Sequence, residues 1–214
     1  MNLSAAVVLT RSPIQAALTD TLVFDSKKKM RHHIRAAART ISSHFQDIDA
    51  AISRGAKVRD AVAPDKVRQA VNNLYSSAML SGYEDGAYFS NKRMPKDLGK
   101  KISAAASQRA DDVDYMMRRV TKKGIKAGSA YALSPDRALR AARYEAGQAY
   151  YKGLKLSLAG SGMKKKWMTS SADPCQDCLD AEDEGKIDFD DQFQSGLFLP
   201  LAHIACQCYI VGSI

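Results

Sequence analysis

The chain has 214 residues, 32 Lys/Arg against 23 Asp/Glu, a net charge of +9, and 45% hydrophobic residues. That apolar share excludes a disordered polymer, and no run approaches the ~18 apolar residues that a membrane-crossing helix requires. The charge is divided: residues 1–170 hold 31 Lys/Arg against 14 Asp/Glu, whereas residues 171–214 hold Lys186 alone against nine acids. A basic body is drawn to polyanions, nucleic acid foremost, although abundant Lys and Arg also serve as plain solvated helix faces. The acidic end would dock on that body or on a separate basic partner.

Taken in chain order, the body reads as helical, being rich in Ala, Lys, Arg, Leu and Gln. Met1-Asn2-Leu3-Ser4 has no basic n-region and the apolar run Ala5–Leu9 is short, so no signal peptide is expected and synthesis in a reducing cytosol is. A short helix is expected near 12–24, with Ser12 as cap and Pro13 in the first turn. A basic cluster with Lys27, Lys28, Lys29 and Arg31 leads to a second helix over 34–52. Its apolar positions Ile34, Ala37, Ile41, Phe45, Ile48 and Ile52 form one stripe. Pro64-Asp65 opens a third helix through Val67, Val71, Leu74 and Leu80, expected to stop near Gly82–Gly86.

Pro95 starts a fourth helix running to about Lys123, with Gly124 as its stop. Ser134-Pro135-Asp136 starts a fifth, carrying Leu139, Ala142, Ala146 and Ala149 to about Tyr151. Gly153, Gly160 and Gly162 mark a change of regime, after which come Lys164, Lys165, Lys166 and the single Trp167. Short extended segments are expected at 166–170, 187–188 and 208–211. The fold class is therefore mainly α: a helical body followed by a small α+β, cysteine-rich, zinc-stabilised C-terminal module. The expected division is a basic helical region over 1–130, compatible with an extended arm, and a C-terminal domain over 131–214 whose metal module spans 164–214.

All four cysteines lie in that last part, as Cys175-x-x-Cys178 and, after 27 intervening residues, Cys206-x-Cys208, with His203 close by. Thiolates and imidazole at such spacings suit a tetrahedral zinc ion with Zn–S of about 2.3 Å. Two disulfides or four unligated thiols are the alternatives, and a reducing compartment favours metal or free thiols. Five candidate ligands exceed the four a structural zinc takes: Cys175 and Cys178 form one pair, while His203, Cys206 and Cys208 compete for two places. Pro174-Cys175-x-x-Cys178 matches half of a nucleobase-deaminase signature, but His32, His33 and His44 all lack the glutamate two residues on, which excludes that chemistry.

Read as a string, the chain offers Arg143-Tyr144-Glu145, Lys166-Trp167, Asp173, Cys175-x-x-Cys178, Gly185, Phe193, Pro200 and His203-x-x-Cys206-x-Cys208. This order resembles the C-terminal signature of the phage Mu F-like minor head proteins, also called phage head morphogenesis proteins, over about residues 135–210. Three positions depart from the pattern: Ile204 where a proline is usual, Gln207 where an arginine is, and Tyr144 where a threonine is. None of these removes a candidate ligand.

The resemblance implies a non-enzymatic virion protein of a tailed phage, acting with the portal or major capsid protein in head assembly or DNA packaging. It implies location in the phage head, no membrane and no small-molecule substrate. In such a protein Trp167 would plug the metal module and Glu145 would pair with a basic residue to orient it. Lys27, Lys28, Lys29, Arg31, Lys164, Lys165 and Lys166 are the candidate contacts to double-stranded DNA or a protein partner. Two other readings stand beside it. One is a sequence-independent DNA-binding protein. The other is a metal-dependent nuclease drawing on Asp173, Asp177, Asp188, Asp190 and Asp191 with His203 as base, although no nucleophile–base pair stands out.

Overall fold

The computed structural model describes residues 13–62, 66–90, 92–169, 173–200, 203, 206 and 208–213. The chain forms helices α1 (Pro13–Ser53), α2 (Val58–Ala61), α3 (Lys66–Ser90), α4 (Leu98–Lys126) and α5 (Pro135–Leu158). Beyond them come β1 (Lys164–Met168), α6 (Gln176–Asp183), β2 (Lys186–Asp188) and β3 (Tyr209–Ser213). The expected class holds: a helical body and a small α+β unit at the cysteine-rich end.

The expected break between two N-terminal helices is corrected, because α1 is continuous over 41 residues. Residues 14–53 contain neither Gly nor Pro, and Lys and Arg are good helix formers, so the basic cluster extends the helix instead of interrupting it. Lys27, Lys28 and Lys29 fall within α1, and Arg31 on it is exposed. The expected stripe is the buried one, with Ala37, Ile41, Phe45 and Ile48 all inside. The proposed cap at Ser12 and the start at Pro64-Asp65 lie outside the described residues. His44 on α1 is buried.

The glycines in α3 do not stop it. A Cβ at Gly82 would overlap the Tyr150 backbone, one at Gly86 would overlap Ser157 Oγ, and one at Gly153 would overlap Met79 O. These three positions let α3 and α5 lie with their backbones nearly touching, and that tertiary gain outweighs the ~1 kcal/mol propensity penalty of a helical glycine. Leu80 on this helix is 38% exposed, while Ala78 and Met79 are buried. Gly124 is likewise inside α4, against Ala132, and the helix runs on to Lys126 before Gly128 turns the chain at φ +69°. The Ser134 cap is as expected, with Oγ accepting from Arg137 N at 3.2 Å and Pro135 in the first turn. α5 then passes its expected end at Tyr151 and reaches Leu158.

α5 is the spine of the molecule. Its N-terminal end packs Ala138 with Ile41 and Phe45 of α1, Val71 of α3, and Val113 and Met117 of α4. Its middle packs Ala142, Ala146 and Ala149 with Leu74, Met79 and Tyr83 of α3 and Ile102 and Ala106 of α4. Its last turns put Leu154 and Leu158 under the cysteine module. Helices from both sides of the expected 130/131 division thus share two cores, and the described body is packed rather than extended. Two arginines pin α4 to α5. Arg109, half-buried on α4, grips Glu145 with two hydrogen bonds of 2.7 and 2.8 Å. Arg137, buried on α5, donates to Thr121 Oγ1 at 2.8 Å and to the Ala132 carbonyl.

Candidate metal centre

The module is a three-stranded antiparallel sheet ordered β2-β1-β3, with α6 inserted between β1 and β2. β1 is central, pairing Lys165 with Ile187 on one side and with Gly212 on the other, and Trp167 with Ile210. Side chains alternate faces along a strand, so Lys165 and Trp167 point inward while Lys164 stays exposed. Trp167 is completely buried and meets Phe193 edge-on, with ring centroids 5.4 Å apart.

β1 leads through Thr169 to α6, whose start carries the first cysteine pair. Glu182 fixes that approach, accepting from Thr169 N at 3.0 Å and from Thr169 Oγ1 at 2.6 Å. Cys175 caps the helix with its backbone, its carbonyl accepting from Cys178 N at 3.0 Å and Leu179 N at 3.1 Å. That turn sets both thiols on one side. The second group arrives at the base of β3, where Cys206 N donates to His203 O at 2.9 Å and Cys208 runs directly into the strand.

The two groups converge. Cys178, Cys206 and Cys208 lie with their sulfurs within 4.8 Å of one another, all three buried, and Cys175, Cys178 and His203 form a second such set. Cys178 is common to both, and the other three sulfurs all neighbour it. Its Sγ is 3.6 Å from that of Cys206, close to the roughly 3.8 Å edge of a tetrahedron with 2.3 Å metal–sulfur bonds and far beyond a disulfide's ~2.05 Å. All four are free thiols, which corrects the disulfide alternative for this structure. The cluster is therefore one that can hold a metal ion.

No protein-family model, curated protein or solved structure matches this chain.

Burial, followed by the crowding of neighbouring thiols, pushes the Cys178 thiol well above its ordinary range. Cys208 is also raised, burial again leading, while the Trp167 indole favours its ionised form. The buried Trp167 Nε1 has no oxygen or nitrogen to bond, so the Cys208 sulfur is the group it can serve. An unpaired donor facing a thiol makes sense where that sulfur carries negative charge, as a metal-bound thiolate does. From α5, Tyr151 reaches the same region, its phenol raised by burial and bonded to the Ile210 backbone.

The remaining predicted residues separate clearly. Lys165, expected at a contact surface, is corrected: it is fully buried. Its Nζ donates to the carbonyls of Phe189 at 2.9 Å, Asp191 at 2.6 Å and Phe198 at 2.9 Å, and sits 3.5 Å from the Phe198 ring centre. Strand alternation is the reason; β1 cannot bury Trp167 without turning Lys165 the same way. Burial, with repulsion from Lys155 next, lowers its ammonium to about 8. Lys164 is exposed and Lys166 half-buried.

Glu145 does pair with a basic residue, Arg109, but the pair ties α5 to α4 within the body. His203 is exposed at the edge of the thiol cluster. Asp173, Asp177, Asp188, Asp190 and Asp191 are all exposed, and among the described residues every cluster of three or more potential ligands consists of Cys and His alone. Arg109, Glu182 and Tyr151 escaped the sequence reading because their roles depend on partners 13 to 59 residues away. For Lys165, the two-residue alternation with Trp167 was a usable signal.

Proposed function

We propose that this protein is a structural minor head protein of a tailed bacteriophage, with a zinc-stapled C-terminal module that docks on portal or capsid subunits. The observation that carries the reading is the convergence of four thiols, three of them buried, within the segment whose residue order resembles the Mu F-like signature. Cys175, Cys178, Cys206 and Cys208 would hold the ion, with His203 beside them as the alternative fourth ligand. A set closed by sulfur leaves no open position for substrate, which is the mark of a structural zinc and not a catalytic one. The ion would supply folding free energy to a unit with little core of its own, on the order of 10 kcal/mol.

Two measurements test the reading. Elemental mass spectrometry with thiol counting is expected to find about one zinc per chain and four thiols released by chelator; a metal-free, chelator-insensitive module overturns the zinc assignment. Mass-spectrometric counting of the chain in purified phage particles from its host is expected to find a few copies per head. Absence from particles that contain their full set of portal and capsid subunits overturns the virion assignment.

A further inference from the structure

The C-terminal three turns of α4 carry Arg118, Arg119, Lys122, Lys123 and Lys126 with no acid after Asp114. Arg119, Lys123 and Lys126 are spaced at four and three residues, so they share one face of the helix. All three are exposed, and among the described residues none has an ion-pair partner. Beside them on the helix stand Tyr115, Met116 and Val120, exposed at 60%, 45% and 54%. Helix α4 packs on α3, α2 and the turn at 130–133, and among the described residues nothing covers this face. It is a basic ridge with apolar anchors.

The complementary surface is on the same chain, on helix α6. Helix α6 exposes Asp177, Asp180 and Asp183, in a module whose net charge over 171–214 is −8. The α4 ridge ends where α5 begins, since Arg137 at the start of α5 bonds Thr121 and Gly124 abuts Ala132. The module packs along the C-terminal half of α5, on Tyr150, Tyr151, Leu154 and Leu158. Helix α6 itself packs on β1, and among the described residues no ion pair joins its acids to the α4 ridge. The acidic face is therefore not seated on its own basic ridge.

We infer that the α4 ridge is the docking surface for the acidic α6 face of a second copy of this chain, so that molecules join head to tail. Because the two surfaces differ, the contact is heterologous, and repetition gives a ring if the rotation closes and an open row if it does not. Charge matching supplies attraction and register, while Tyr115, Met116 and Val120 supply apolar area that charge alone does not. The inference rests on charge and placement and stands apart from any virion role.

The test is sedimentation velocity of the metal-loaded full chain at about 20 mM and about 500 mM salt, conditions that lengthen and then collapse electrostatic reach. Concentration-dependent association is expected at low salt and its loss at high salt. The triple variant R119E/K123E/K126E and the double variant D177K/D180K are each expected to weaken association at least tenfold. Mixing the two is expected to restore it, because the reversed charges match. All these residues are exposed, and unchanged circular dichroism and metal content confirm that the variants fold. A monomer at every concentration in low salt overturns the inference, including the case in which that monomer instead binds duplex DNA through the α4 ridge. Association indifferent to both sets of substitutions overturns it equally.

Discussion

The helical body and the cysteine module bury their interiors by opposite means. The body is assembled from small residues at close range: Ala78, Ala106, Ala110, Ala138, Ala142, Ala146 and Ala149 are all essentially inaccessible, and glycines let α3 and α5 meet backbone to backbone. Its long helices satisfy their own hydrogen bonds, so packing has only to bring them together. The module has three strands of three to five residues and one helix of eight. It fills its centre with Trp167, Phe189 and Phe193, with a buried ammonium bound to three carbonyls, and with a knot of thiols. So little regular structure closes a core poorly by packing alone, and the proposed metal at the thiols would supply the missing constraint. On that reading, two parts of one chain, joined by a single helix, answer to different agents: the body to volume and the module to metal and pH.

The contrast breaks first at the cysteines. Cys178→Ala removes the one sulfur common to both ligand sets and is expected to lose stabilisation on the order of 10 kcal/mol from the module. Limited proteolysis should then cut within residues 164–213 while the helical core stays resistant. Equal resistance in the variant and the parent would show that metal does not hold the module. The reverse experiment is Gly153→Val, which drives a side chain into the Met79 carbonyl. Overpacking of about 3 kcal/mol is expected from the body, read as a lower denaturant midpoint, with zinc content unchanged.

Next in size is Arg109→Ala, which leaves Glu145 buried without its guanidinium. The cost of stranding a buried charge is about 3 kcal/mol or more for a fully buried pair. Because Arg109 is 27% exposed, about 2 kcal/mol is the expected loss, again from the body and not from the module. A double variant with Glu145→Leu is expected to recover part of that loss, and an additive result would show that the two residues do not interact.

Two pH effects belong to the module alone. The Cys178 and Cys208 thiols are raised by burial, so metal uptake must displace their protons. Zinc affinity is accordingly expected to rise from pH 6 to 8, with proton release visible as buffer-dependent binding enthalpy. Lys165 gives the smallest effect. Its ammonium falls from 10.5 in the open chain to about 8 in the fold. Between those values the unfolded chain holds more protons than the folded one, so stability contributed at this site rises with pH from about 8 to 10.5. Relative to Lys165→Met, the zinc-loaded parent should gain in denaturant midpoint over that window. A flat difference would mean that the ammonium is not perturbed.

Much of this was legible beforehand where a local pattern has a local cause. The stripe from Ile34 to Ile52, the Ser134-Pro135 cap, and the alanines of α5 arise from helix period and capping chemistry, and they are where they were expected. The cysteine and histidine spacings likewise announced one cluster, which the fold gathers. What misled was every residue whose meaning depends on a distant neighbour. Gly82, Gly86 and Gly124 look like helix stops in isolation, and they are contact points because α5 or the turn at 130–133 lies against them. Lys165 looks like part of a surface cluster, and it is interior because β1 is a central strand with Trp167 on the same side.

The sequence by itself determined the helical class, the Ser134 cap, the polarity of charge along the chain and the set of metal-competent ligands. These depend on residue type and on spacings of a few residues, which a reader of the chain can see. Only the tertiary structure decided that α1 is unbroken, that glycine serves close approach, that Cys178 is the thiol common to both ligand sets, and that the cysteine module packs along the C-terminal half of α5. Each of those depends on which segments meet in space. Pairing between residues tens of positions apart is fixed by the competition of all possible contacts, not by any one local pattern.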